Sequence, residues 1–339
     1  MSRRARTALR WGLGLGLLVV VVAWFDVASV GDRLSSVNLA LAVPAMVGLV
    51  AVHLVAALSW QRLTARLAGV RLDARSTIRL YYAAQALGAV TPANLGADVF
   101  RVAAIDSGSG RARLARPVLV QRLTSIVALV IVGAAGLVAL PIEGRGPLLV
   151  AVALVALAAV AAIAVLSTRA APPAGAAPRA GAALRAGASP RAGAALRFAR
   201  WLGPIFDAGQ GGNQRVSVLR DGVGLGLAFH VISLLLGLVL VAAVHAPSAA
   251  RPVEVLAALA VARLSLAVPL SPNGIGIQEG ALSVLFATLG LPPDVALAAA
   301  LLNRMALVAT AVLGSVLLIV GARTGMNARR TTLSGHADG

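Results

Sequence analysis

A chain of 339 residues with 59% hydrophobic and only 12% charged residues is not a pair of soluble domains, which carry about a quarter charged residues. Its mean hydropathy of +0.89 marks an integral membrane protein. It has no cysteine, which excludes disulfides, Cys-ligated zinc, Fe–S clusters and thiol catalysis, and its net charge of +18 rests on arginine alone. That charge does not argue for nucleic acid, because polytopic membrane proteins keep basic residues in cytoplasmic loops.

A bilayer-spanning helix needs about 20 apolar residues. In chain order such stretches are Trp11–Val30, Leu39–Trp60, Val118–Leu140, Leu148–Leu166, Val223–Val244 and Val295–Val320, which gives six full spans. No small-x-small cleavage site follows the first, so it is not read as a signal peptide. Two further apolar regions are interrupted. Region 77–105 contains Thr91-Pro92-Ala93-Asn94-Leu95-Gly96, and region 253–290 contains Ser271-Pro272-Asn273-Gly274-Ile275-Gly276. Proline removes a backbone donor and glycine favours non-helical angles, so each region is predicted to be two half-helices joined by a turn. Whether these hairpins are re-entrant or cross fully stays open. The expected fold class is an all-α polytopic membrane protein of six spans and two broken hairpins.

The arginines orient this arrangement. With the N-terminus inside, twenty-three of them fall in cytoplasmic segments, and only Arg33, Arg145 and Arg251 fall outside. The domain plan is then a first membrane half (1–166), a cytoplasmic linker (167–222), a second membrane half (223–322) and a cytoplasmic tail (323–339). Within the linker, arginines recur at 179, 185, 191 and 197 among Ala, Gly and Pro, a pattern that keeps no helical face and reads as flexible chain. The expected location is the plasma membrane, with both termini cytoplasmic.

The two broken regions resemble each other. Thr91-Pro92-x-x-x-Gly96 matches Ser271-Pro272-x-x-x-Gly276, and Gln121-Arg122-Leu123 matches Asn303-Arg304-Met305 downstream. With the charge-derived orientation, one break opens from each side, so the halves read as an inverted internal repeat, the plan of many transporters.

An arginine within the apolar layer costs about 2.5–3.5 kcal/mol on insertion scales and normally faces a partner or a water-filled cavity. Arg304 lies well inside its span, and Glu279 is the acid placed to neutralise it. Asp98 and Arg101 share one face of the half-helix after Pro92, where they can pair with each other or with Arg122. Arg263 lies midway along its half-helix and either lines the same cavity or snorkels. These groups read either as buried ion pairs or as a site for an anionic headgroup, since a guanidinium fork matches phosphate oxygens. The turn residues Pro92, Asn94, Gly96, Pro272, Asn273, Gly274 and Gly276 would aim half-helix N-termini at the same ligand.

Other features read as packing. His53 and His230 fit satisfied interior histidines, and the glycines of Gly222–Gly226 fit close helix contact. Tyr81 and Tyr82 are expected to anchor at a membrane interface. No HExxH, P-loop or Ser/His/Asp arrangement is present, so neither enzyme, metal site nor cofactor is predicted.

Thr91 to Asp98 with Arg101 and Arg122, and Leu270 to Gly280 followed by Leu289-Gly290-Leu291-Pro292 and Asn303-Arg304, resemble the two signatures of the lysylphosphatidylglycerol synthase transmembrane (flippase-like) family. The resemblance runs from about Trp11 to Val320. It implies movement of an anionic phospholipid or lipid-linked precursor between leaflets, with membrane lipids as partners. The chain continues only to Gly339, so no soluble aminoacyl-transfer domain is expected. The first signature departs from the family at Ala93-Asn94, where glycine-rich residues are usual. The alternative from another class is a non-transporting, lipid-binding accessory subunit of a membrane glycosyltransferase or lipid-modifying enzyme.

Overall fold

The computed structural model describes residues 27–89, 91, 94–105, 111–140, 217–218, 220–245, 252–264 and 276–323. Among these the backbone is helical, with no strand. Long apolar runs leave little alternative, because a helix satisfies every interior backbone group within its own segment. The helices are α1 (Val27–Ser35), α2 (Leu39–Ala51), α3 (His53–Ala68), α4 (Ala74–Ala89), α5 (Leu95–Ala103), α6 (Arg111–Ala139), α7 (Leu225–Val244), α8 (Pro252–Leu264), α9 (Ile277–Thr288) and α10 (Pro293–Arg323).

Local chemistry sets the helix ends. Asn38 opens α2 by accepting from the Ala40 N–H at 3.0 Å. Gly69, at φ 65°, closes α3 in the left-handed conformation that glycine tolerates. Asp73 opens α4 by accepting from the Ser76 N–H at 2.8 Å, which holds its carboxyl below the usual 3.8.

Four described stretches are long and apolar enough to cross a membrane: Leu39–Ala68, Leu114–Ala139, Arg220–Val244 and Pro293–Val320. Each contains or overlaps one of the expected spans. The expected spans Leu148–Leu166 and, except for its last turn, Trp11–Val30 lie outside the described residues, as does the repetitive part of the linker. The α2–α3 span runs antiparallel to α7: Asn38 N–H donates to the Ala243 carbonyl at one end, and Ser59 Oγ reaches the Asp221 carbonyl at the other. Next to α7, α6 runs parallel, since Gly222 meets Thr124 and Gly226 meets Ala128. The half-helix α8 runs antiparallel to α6, with Leu264 over Gly133 and Ala257 beside Gly136. Thus α4 and α8, the helices that lead into the two broken turns, start from opposite ends of the bundle.

Each of these two helices packs along the long helix of the other half, α4 on α10 and α8 on α6. Small residues make that possible. A Cβ on Gly314 would stand 2.0 Å from the Tyr82 carbonyl oxygen, and one on Gly136 would stand 2.8 Å from that of Ala257. The main core joins Ala42, Ala45, Leu240, Ala258, Phe286 and Ala298 from five helices. Outward faces remain apolar: on α10 the exposed stripe Met305, Val308, Val312, Val316 and Ile319 would be an unusually large patch in water.

Two expectations change. Tyr81 and Tyr82 are not interfacial anchors: both are buried, Tyr82 donating its hydroxyl to the Val50 carbonyl at 2.7 Å and Tyr81 packing beside Trp60. The helix expected from Val223 also begins earlier, because Arg220–Gly224 already form a π-helical turn in which Asp221 is buried.

Gly314→Ala should lower stability by about 1–3 kcal/mol, because the new methyl meets backbone that cannot yield. Gly224→Ala, whose Cβ would meet nothing within 4 Å, should leave it unchanged. Thermal unfolding of the two variants in detergent checks the contrast.

Candidate functional site

The first broken turn is built around Thr91. Its Oγ1 donates to the Leu87 carbonyl at 3.0 Å and accepts from the Gly96 N–H at 2.8 Å, tying the end of α4 to the start of α5. Asn94 at φ 58° is the one described non-glycine residue in the left-handed region and stands immediately before α5. Gly96 has to be glycine, since a Cβ there would lie 2.5 Å from the Leu87 carbonyl oxygen. Pro92 lies outside the described residues.

Asp98 sits in the first turn of α5 and binds two arginines. Its Oδ1 accepts from Arg101 Nη2 at 2.6 Å, and its Oδ2 accepts from Arg122 Nη1 on α6. Arg101 is enclosed: Nη1 donates to Gln121 Oε1 at 2.6 Å, and the guanidinium lies 5.7 Å from the Trp60 ring centre and 5.3 Å from that of Tyr81. Gln121 in turn donates to the Ala56 carbonyl at 2.7 Å, linking the network to α3. The Arg122 side chain is 34% exposed against 8% for Arg101, so Arg122 is the member that reaches accessible space.

The second broken turn ends in the same way. Gly276 has φ 82° and precedes α9, and Glu279 stands in the first turn. Glu279 Oε2 accepts from the Gly276 N–H at 2.8 Å, while Oε1 accepts from Arg304 Nε on α10 at 2.7 Å. The carboxylate is buried and both oxygens are bonded. Pro272, Asn273 and Gly274 lie outside the described residues.

Both turns therefore place a positive-φ residue before a half-helix, an acid in its first turn, and an arginine on the following long helix. Arg304 lies about 15 Å along α10 from Asp294, half the depth of an apolar layer about 30 Å thick. Asp294 itself marks one end of the bundle, where it accepts from Arg33 Nε at 2.8 Å. Arg122 lies about 12 Å past Leu114, where its span begins.

Arg263 joins neither pair. Its Nη2 donates to the Ser233 carbonyl on α7 at 3.3 Å. The glycine run reads as expected, with Gly222 and Gly226 against α6. Sequence reasoning missed Asp221, placed in the linker. It is 3% exposed, accepts from Arg66 Nε at 2.8 Å and lies near Arg62 and Arg220. The available signal was an acid abutting the start of an apolar run.

A helical bundle with apolar outer faces, four candidate spans and two charged turns in its interior is a polytopic membrane domain. The family model described as the lysylphosphatidylglycerol synthase TM region matches residues 11–314, and the chain belongs to that family. Comparison with curated proteins and with solved structures returned no match.

Arg304→Met alone should destabilise the bundle by about 3–5 kcal/mol, because it strands the buried Glu279 carboxylate. Adding Glu279→Gln should recover most of that loss. Unfolding midpoints of the single and double variants measure it.

Proposed function

We propose that the protein moves, or helps to move, an anionic phospholipid or lipid-linked precursor between the leaflets of the plasma membrane. The observation that carries this reading is the pair of acid–arginine turns in the interior, reached by half-helices that start from opposite ends of the bundle. Related by inversion, the two halves would form an inverted repeat, and alternating tilt of one against the other would expose the centre to each side in turn. Arg122 and Arg304 are the groups assigned to the headgroup phosphate, with Asp98 and Glu279 holding them in place. Arg101 positions Asp98 from within its aromatic cage. The reading gives no residue a catalytic role and needs no cofactor. Membership of a lipid-related membrane family supports it.

Leaflet-resolved transport in proteoliposomes tests it. Arg304→Gln should bring transfer of an anionic phospholipid near background in a correctly inserted protein. Arg304→Lys should retain part of it, because an ammonium keeps the charge and loses the bidentate fork. The double variant Arg304→Gln/Glu279→Gln should stay inactive; full activity there would leave the pair as a structural element. Lipid binding without any transfer by the wild type would favour the accessory-subunit reading.

The orientation, with both termini cytoplasmic, is open to direct measurement because the chain has no cysteine. Arg111→Cys and Gly212→Cys should be shielded from an impermeant thiol reagent on intact cells, while Arg145→Cys should react. Labelling at Gly212→Cys from outside would reverse the assignment.

A further inference from the structure

A second polar cluster lies in the interior, and no described carboxylate pairs with it. Arg263 on α8 is half-buried and makes a single long hydrogen bond, 3.3 Å to the Ser233 carbonyl. One turn before Ser233 on α7 is His230, which is 6% exposed. Its Nε2 lies 3.3 Å from both the hydroxyl and the carbonyl oxygen of Ser125 on α6. Its Nδ1 is buried without a partner. In the tautomer that accepts the Ser125 hydroxyl at Nε2, that Nδ1 is a donor. His53 stands across Phe229, with ring centres 5.6 Å apart, and its Nδ1 lies 3.1 Å from the Leu49 carbonyl. Through the Ser233 carbonyl, Arg263 reaches α7 one turn from His230.

The described carboxylates are committed elsewhere. Asp98, Asp221, Glu279 and Asp294 bind other arginines. Asp32 and Asp73 are exposed near helix ends, and Glu254 lies about 14 Å along α8 from Arg263. Depth sharpens the imbalance. His53 is the fifteenth residue of the 30-residue span Leu39–Ala68, and His230 the eleventh of the 25-residue span Arg220–Val244. A guanidinium in such a place is stable when an anion pairs with it, and a buried imidazole nitrogen without a partner is costly in its own right.

We infer that Arg263 and His230 form an anion-binding position in the middle of the bundle that takes a phosphate group. The guanidinium supplies the charge and a forked donor, and His230 Nδ1 supplies a second donor from the neighbouring helix. The site stands on a guanidinium that no described carboxylate meets and on the unpartnered nitrogen; only the lipid as the source of the phosphate rests on the translocation reading. A headgroup bound here would lie against α8, the helix that leads into the second broken turn.

The chain has four histidines, so selective 15N-histidine labelling of the full-length protein in an uncharged detergent gives a readout at the site itself. The probes are inorganic phosphate, dihexanoyl phosphatidylglycerol and chloride, and the His230 signal is assigned by its loss in His230→Gln. Phosphate or phosphatidylglycerol should shift that signal saturably, with affinity at least about tenfold weaker in Arg263→Gln. Arg263→Lys, which keeps the charge, serves if the glutamine variant does not fold and should also bind more weakly. Gly224→Ala should titrate as the wild type does. A response to phosphatidylglycerol at lower concentration than to inorganic phosphate assigns the site to a lipid headgroup; the reverse order assigns it to free phosphate, and either supports the site. No shift with either phosphate probe, a shift unchanged in both Arg263 variants, or an equal response to chloride overturns it. Because this titration needs no transfer between leaflets, translocation can fail in proteoliposomes while the site stands, and the site can fail while translocation stands.

Discussion

A helix that begins inside an apolar layer presents N–H groups to surroundings that hold no water, and here the Glu279 carboxylate answers that demand at α9 and the Thr91 hydroxyl at α5. Glu279 does so most completely, one oxygen on the Gly276 N–H that opens α9 and the other on Arg304 of α10. The acid and the arginine would each be costly alone at that depth, so each is a condition for the other. Asp98 holds α5 to α6 through Arg122 by the same logic, and its second arginine carries the connection on to Trp60, Tyr81 and Gln121. The charged groups in the interior thereby fix where the half-helices end and which long helix each one meets.

Hydrophobicity cannot hold such helices together, because lipid tails are as apolar as leucine. Close approach does it instead. Gly314 lets α10 settle against the backbone of α4, and Gly133 and Gly136 let α6 settle against α8. Those contacts run between the halves of the chain, so a tilt of one half has to slide or open them. Alanine repeats the device more gently across the main core, while valine, isoleucine and methionine occupy the outward face of α10.

Polar contacts at the bundle ends complete the frame. Arg33 with Asp294 secures one end, and Arg66 with Asp221 ties α3 to the turn that opens α7. Among the described residues, the two broken turns pair their arginines with a carboxylate, and Arg263 meets none. That difference separates the balanced turns from the cluster around His230.

Much of this was legible in the sequence. Composition alone required a membrane protein, and runs of about 20 apolar residues located four helices that the structure contains. Proline and glycine marked the broken regions, because they act on the backbone locally. Charge in an apolar run singled out Asp98, Arg122, Glu279 and Arg304, since an ion there must find a partner. The sequence could not say which arginine is enclosed. Arg101 and Arg122 differ by the cage of Trp60 and Tyr81, residues far off in the chain that only α3 and α4 bring together. Tyr81 and Tyr82 misled for the same reason, as an aromatic beside a basic loop looks interfacial until the helices close over it. Asp221 looked like linker because hydropathy averages along the chain, whereas burial of a single acid depends on arginines reaching it from another helix. Hydropathy and breaks are local and can be read in order; desolvation and the choice of ion partner are properties of packed neighbours, and tertiary structure decides them.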